Sequence, residues 1–188
     1  MNRLCLVLAT CISVSACDQS SSSNSNSQEE HSSSAPAQPA SDQPTQIKPG
    51  AKWIYSEDTD KMRGTTAKYA RLESENELSF GFPYKGGKTT LLLRKRPEDG
   101  ISIMLQVEGQ FLCNSYSGDT VSVKFDSKPI EKFSCSEPQA GTTGVLFING
   151  EKRFISSLRK AKAMIVEAQF YSSGRRQMEF DVVGLDWK

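Results

Sequence analysis

From Ala51 onward, apolar residues recur at every second position in short runs. Ile101, Ile103, Leu105 and Val107 fall on one face of an extended segment, as do Val121, Val123 and Phe125. Met178, Phe180 and Val182 alternate with Glu179 and Asp181. A period of two places one packed and one wet face on a strand. Strands are predicted at Trp53–Glu57, Lys68–Glu73, Leu78–Phe82, Thr90–Lys95, Ile101–Val107, Val121–Phe125, Gly144–Ile148, Met164–Tyr171 and Gln177–Val183. Turns at Lys85-Gly86-Gly87, Pro97-Glu98-Asp99-Gly100, Ser117-Gly118-Asp119 and Ser172-Ser173-Gly174 separate them. The expected fold is all-β, an antiparallel two-sheet β-sandwich or a partly closed barrel.

One segment has a helical period. Phe154, Ile155, Leu158 and Ala161 lie on one side, while Arg153, Arg159, Lys160 and Lys162 lie mostly on the other, predicting a short helix over Phe154–Lys162. Asn149-Gly150 is read as a turn entering that helix; the alternative is a type I′ hairpin with Lys152–Ile155 as a strand.

The N-terminus has a different pattern. Arg3 precedes an apolar run from Leu4 to Val14 that is too short to span a bilayer, and small residues follow. Val14-Ser15-Ala16-Cys17 resembles the lipobox of bacterial lipoproteins, which implies cleavage before Cys17 and lipid on its sulfur. An ordinary secretory signal cut after Ala16 is the alternative. Asp18 resembles the enterobacterial signal for retention in the inner membrane. From Asp18 to about Lys48 the chain is rich in Ser, Asn, Gln, Ala and Pro and too poor in apolar residues to order itself. As a coil of about 30 residues it would span roughly 30 Å. The expected organisation is thus a lipoprotein signal over 1–16, a lipidated Cys and tether over 17–48, and a β-sandwich over 49–188.

Composition narrows the chemistry. Lys and Arg number 23 against 22 Asp and Glu, and loss of Arg3 with the signal balances them, which disfavours nucleic acid as a partner. The one His, His31, lies in the Ser-rich tract, so the domain carries no imidazole for a catalytic triad or a metal site. No catalytic residue, metal or cofactor is expected, and the chain is not read as an enzyme. Of five Cys, Cys5 and Cys11 lie in the signal and Cys17 takes lipid, leaving Cys113 and Cys135. In an oxidising compartment these are expected to pair, closing a loop worth roughly 3 kcal/mol in the chain-entropy model. Two separately buried thiols are the alternative.

The candidate binding segment runs from Ser79 to Lys88. Phe80, Phe82 and Tyr84 recur at period two ahead of a Gly-rich turn flanked by Lys85 and Lys88. An exposed aromatic and basic loop of this kind grips a partner or a glycan; the alternative points the three rings into the core from an edge strand marked by Pro83. Gly86-Gly87-Lys88-Thr89 lacks the spacing and the strand-to-helix context of a phosphate loop. The helix cations with Arg94, Lys95 and Arg96 are either a patch for anionic lipid headgroups or an acidic partner, or a solvated face balanced by acids. The carboxylates are spread along the chain, and Asp126 is expected to satisfy turn amides at a strand end.

Trp53 and Tyr55, Ser74 and Asn76, Phe82-Pro83-Tyr84, Gly109-Gln110 and Cys113, Val121 to Asp126, then Phe154, Leu158, Glu167, Phe170, Phe180 and Gly184-Leu185 together resemble a family of uncharacterised bacterial and prophage-borne lipoproteins. The late block is more loosely similar to the periplasmic invasion-associated locus B family and to a type VI secretion accessory family. These resemblances imply a β-sandwich and a non-catalytic periplasmic role, and they supply no catalytic residues. The resulting expectation is a membrane-anchored, periplasm-facing lipoprotein that binds an envelope protein; the alternative is an inhibitor or immunity protein against a cell-wall enzyme or toxin.

Overall fold

In a computed structural model of the chain, the described residues are 46–47, 52–114, 117–138 and 142–187. The expected signal, the expected lipidation site Cys17 and most of the expected tether lie outside them. The strands are β1 (Gln46–Ile47), β2 (Ile54–Asp60), β3 (Thr65–Ser79), β4 (Gly86–Arg96), β5 (Gly100–Glu108), β6 (Phe111–Leu112), β7 (Thr120–Phe125), β8 (Glu131–Ser136), β9 (Val145–Ile148), β10 (Ala163–Phe170) and β11 (Gly174–Asp181), with one helix α1 (Glu151–Leu158) before β10. Every pairing is antiparallel, in the order β1-β2-β3-β4-β5-β9-β8-β7-β10-β11, with β6 added to β10. No helix among the described residues is long and apolar enough to cross a membrane.

The two layers of this all-β sandwich share β8. Its Glu131–Ser134 stretch pairs with β7, whereas Cys135 and Ser136 pair with Ile148 and Phe147 of β9. Their inner faces bury the alternating residues read from the sequence, including Ile103, Leu105, Val121, Val123, Phe125, Met178 and Phe180. Fully burying one such Leu or Phe side chain stabilises the fold by about 1.5–3 kcal/mol. α1 adds Phe154, Ile155 and Leu158 to that core, and the Phe154 ring meets Phe125 and Phe133 edge-on at centroid distances of 5.6 and 5.3 Å.

Several expected boundaries change. The strands expected at Lys68–Glu73 and Leu78–Phe82 are one strand, β3, with a bulge between Glu73 and Glu77. Ser74 explains the misread gap: it is buried like an apolar core residue, donating its hydroxyl to the Asn76 carbonyl at 2.6 Å and accepting the Thr89 N–H at 2.9 Å. β8 was not expected, because Phe133 and Cys135 are its only apolar residues. β1 lies within the expected tether and pairs Ile47 with Ile54, so the sheet starts upstream of residue 49. The helix starts earlier and stops sooner than Phe154–Lys162: Gly150, with φ of 92°, turns the chain into it, and Ala161 donates to the Leu158 carbonyl in a closing turn.

The sheet does not close by a backbone ladder among the described residues; side chains stitch the remaining seam. Asn76 in the β3 bulge donates Nδ2–H to the Gln177 carbonyl at 2.9 Å and accepts the Glu179 N–H on Oδ1 at 2.8 Å, so one side-chain amide does for β11 what a neighbouring strand would. Trp53 Nε1–H donates to the Val182 carbonyl at 3.2 Å, and Tyr55 Oη accepts the Asp186 N–H at 2.7 Å. At the C-terminal end of β7, Asp126 adopts φ of 50° and its carboxylate accepts the N–H groups of Lys162 and Ala163, each at 2.9 Å, as expected of a strand-end acid.

Candidate functional site

The expected binding segment sits at one end of the sandwich, where the β3–β4 loop meets the β5–β6 connection and the β10–β11 turn. Its three aromatics divide rather than acting alike. Phe80 turns inward, half-buried, with its ring centroid 4.8 Å from that of Phe170, which in turn stacks 4.5 Å from Phe111. Gly109 leaves room for it: a Cβ there would come within 2.5 Å of the Phe80 ring. Phe82, two residues on, is fully exposed at 102%. Tyr84 lies between these extremes and donates its hydroxyl to Gln110 Oε1 at 2.6 Å.

Local backbone contacts hold the loop in shape. Tyr84 N–H donates to the Gly81 carbonyl at 3.1 Å, and the Phe82-Pro83 peptide bond is cis. At its exit Gly86 has φ of 81°, and a Cβ there would lie 2.1 Å from the Leu78 carbonyl oxygen, so the close approach of the two strands requires glycine. Gln110 joins this loop to a second one, because its main-chain carbonyl accepts the Tyr171 N–H at 2.9 Å. Tyr171 is 54% exposed. Lys85 is exposed and makes no ion pair with another described residue, whereas Lys88 lies 3.9 Å from Glu73. Tyr171 and Gln110 were not among the residues expected here. Tyr171 closes an apolar strand ahead of Ser172-Ser173-Gly174, a position that reads as core until the turn is seen to push it outward.

The other candidate features resolve into structural roles. Cys113 and Cys135 form a disulfide with Cα atoms 6.0 Å apart, fastening the chain after β6 to β8. Arg94 and Arg96 both grip Asp99, and the Arg96 guanidinium holds the Asp99 carboxyl below its ordinary range. Arg153 covers the Phe133 ring at 4.2 Å and donates to the Lys132 carbonyl, and Arg159 donates to the Trp187 carbonyl. These four arginines are therefore committed within the fold, whereas Lys160 and Lys162 are exposed. Among the acids, the Arg63 side chain, aided by the N–H groups of Arg63 and Met62, lowers the Asp60 pKa. A groove of about 700 Å³ on the outer face of β2–β4 is lined in part by Lys52, Arg71, Glu73, Glu75 and Lys88, and Lys52 bonds Glu75 at 2.8 Å within it.

No family profile and no curated protein matches this chain. In fold, it is loosely similar to the crystal structure of invasion associated protein B from Bartonella henselae, with a TM-score of 0.40 and 12% identity over 69% of this chain and 84% of that one.

Proposed function

We propose that this chain is a bacterial lipoprotein whose lipid on Cys17 fixes it to the membrane facing the periplasm, and whose β-sandwich is a non-catalytic module that binds an envelope protein. One observation supports binding above the rest: Phe82 is completely exposed on a loop that hydrogen bonds and ring stacking hold in place. Aromatic side chains are enriched at protein–protein interfaces and among the residues that carry most of their binding energy. Anchoring rests on Val14-Ser15-Ala16-Cys17 and the hydrophilic tract behind it. Asp18 favours the inner membrane. Two or three acyl chains, at about 0.8 kcal/mol per buried methylene, exceed the marginal hold of one chain.

The anchoring half is tested by membrane fractionation with labelled fatty acid. Wild-type chain should carry label and sediment with membranes, and Cys17→Ser should lose both. Absence of label from the wild-type chain would contradict lipidation, and persistent sedimentation of unlabelled Cys17→Ser would contradict anchoring through that lipid.

The same loop supports a second, narrower reading. A convex loop with one protruding ring suits a concave cleft, as an inhibitor or immunity protein against a cell-wall enzyme or toxin would need. Loss of inhibition in Phe82→Ala with the fold intact would favour it over a scaffolding role.

A further inference from the structure

The geometry points to a two-anchor docking surface, Phe82 with Tyr171 and Lys85 beside them, which Gln110 holds together and which is shaped for an apolar, acid-rimmed pocket on a protein rather than for a bilayer. This inference rests on the binding-module reading above and names its surface and partner chemistry. The two exposed rings come from loops far apart in sequence, yet both loops converge on Gln110: its side chain takes the Tyr84 hydroxyl and its carbonyl takes the Tyr171 N–H. Phe80 stacked on Phe170 ties the same two loops from beneath. Two aromatics presented by pre-formed loops lose little conformational freedom on binding, the condition under which buried rings give most affinity.

Charge decides between a protein and a lipid surface. Adsorption to anionic headgroups needs an excess of basic residues around the inserted ring. Here Lys88 is faced by Glu73, Arg175 lies 3.4 Å from Glu167, Arg176 donates to the Arg175 carbonyl, and exposed Glu108 ends the neighbouring β5, so Lys85 and Arg176 are the cations at this end without an ion pair to another described residue, and Lys85 is the one on the Phe82 loop. One such cation beside a ring suits a single carboxylate at the rim of a pocket.

The test places a photo-crosslinking benzoylphenylalanine at position 82, 171 or 62 of the full-length lipidated chain in its native envelope. Position 62 is the control, since Met62 is equally exposed, at 94%, on the β2–β3 turn at the other end of β3. The expected result is one discrete protein adduct of the same mass from positions 82 and 171 and none from 62. Lys85→Glu should lower both yields about tenfold. Tyr84→Phe and Gln110→Ala release the Phe82 loop while the main-chain bond to Tyr171 stays, so they should lower the yield at 82 more than that at 171, a split that general destabilisation would not produce. In parallel, full-length Cys17→Ser chain is sedimented with vesicles of phosphatidylglycerol and phosphatidylethanolamine, and no binding is expected. Lipid adducts at position 82, or sedimentation that depends on Phe82, would overturn the inference in favour of a membrane contact. A protein adduct from position 62 alone would overturn this surface and leave the binding-module reading standing, while no protein adduct from any of the three positions would overturn both.

Discussion

At the scale of single residues, side chains that look unremarkable in the sequence hold the seam and its corners. Asn76 reads as one polar residue in a Ser-Glu-Asn-Glu run, yet its amide supplies both hydrogen bonds between β3 and the β11 edge. Asn76→Ala is expected to lower unfolding stability by about 1–2 kcal/mol, two hydrogen bonds' worth, by chemical denaturation. Nothing in a one-dimensional pattern distinguishes a clasp from a surface residue; only the bulge, which turns Asn76 toward β11, does so. Asp126 was easier, because an acid directly after an apolar strand is a familiar place for amide capture. Its folded pKa lies below the ordinary 3.8, chiefly through the Ala163 and Lys162 N–H groups, and those of Asp60 and Asp99 are lowered as well. The stability these groups contribute is fully present above about pH 4 and is lost as pH falls through their lower folded values. The midpoint of thermal unfolding should therefore drop on acidification below about pH 4. Asp126→Asn keeps an oxygen acceptor and tolerates the positive φ without titrating, so its drop should be shallower. Equal slopes for wild type and variant would contradict this role.

The disulfide, the strands and the loop show how far composition and period reach at the scale of elements. Strands with three or more alternating apolar residues were legible, as was the choice of a helix rather than a hairpin after Asn149-Gly150. β8 was not, since Cys135 had been read for its chemistry although it also fills a core position. Parity of cysteines did predict its bond to Cys113. Paired Cys113→Ser and Cys135→Ser substitutions should cost about 3 kcal/mol by the loop-closure argument, measured against oxidised wild type in guanidinium. An unchanged midpoint would mean that β6 and β8 are held without it. In the β3–β4 loop, the sequence marked the right segment but treated its rings as equivalent. Phe80 and Phe82 face opposite ways because the strand ends at Ser79, after which the period of two no longer governs direction. Phe82→Ala removes no contact of the folded chain, so its stability should stay within about 0.5 kcal/mol of wild type, whereas its partner binding should fall at least about 30-fold.

For the whole molecule, the proposed division of labour is simple: lipid at Cys17 sets location, the intervening polar tract gives reach, and the sandwich presents one rigid loop end. The fold half of this account was largely legible because burial imposes a period on the chain. For the functional half the sequence offers a local signature at Val14-Ser15-Ala16-Cys17, outside the described residues, while the proposed docking end depends on three loops distant in sequence. The most direct measurement is crosslinking capture of the lipidated chain from its native envelope, with neighbours quantified by mass spectrometry for wild type, Cys17→Ser and Phe82→Ala. The account predicts one envelope protein enriched with wild type and lost in both variants, with Phe82→Ala still folded and still on the membrane. Enrichment of the same protein that is undiminished in folded, membrane-bound Phe82→Ala would contradict it.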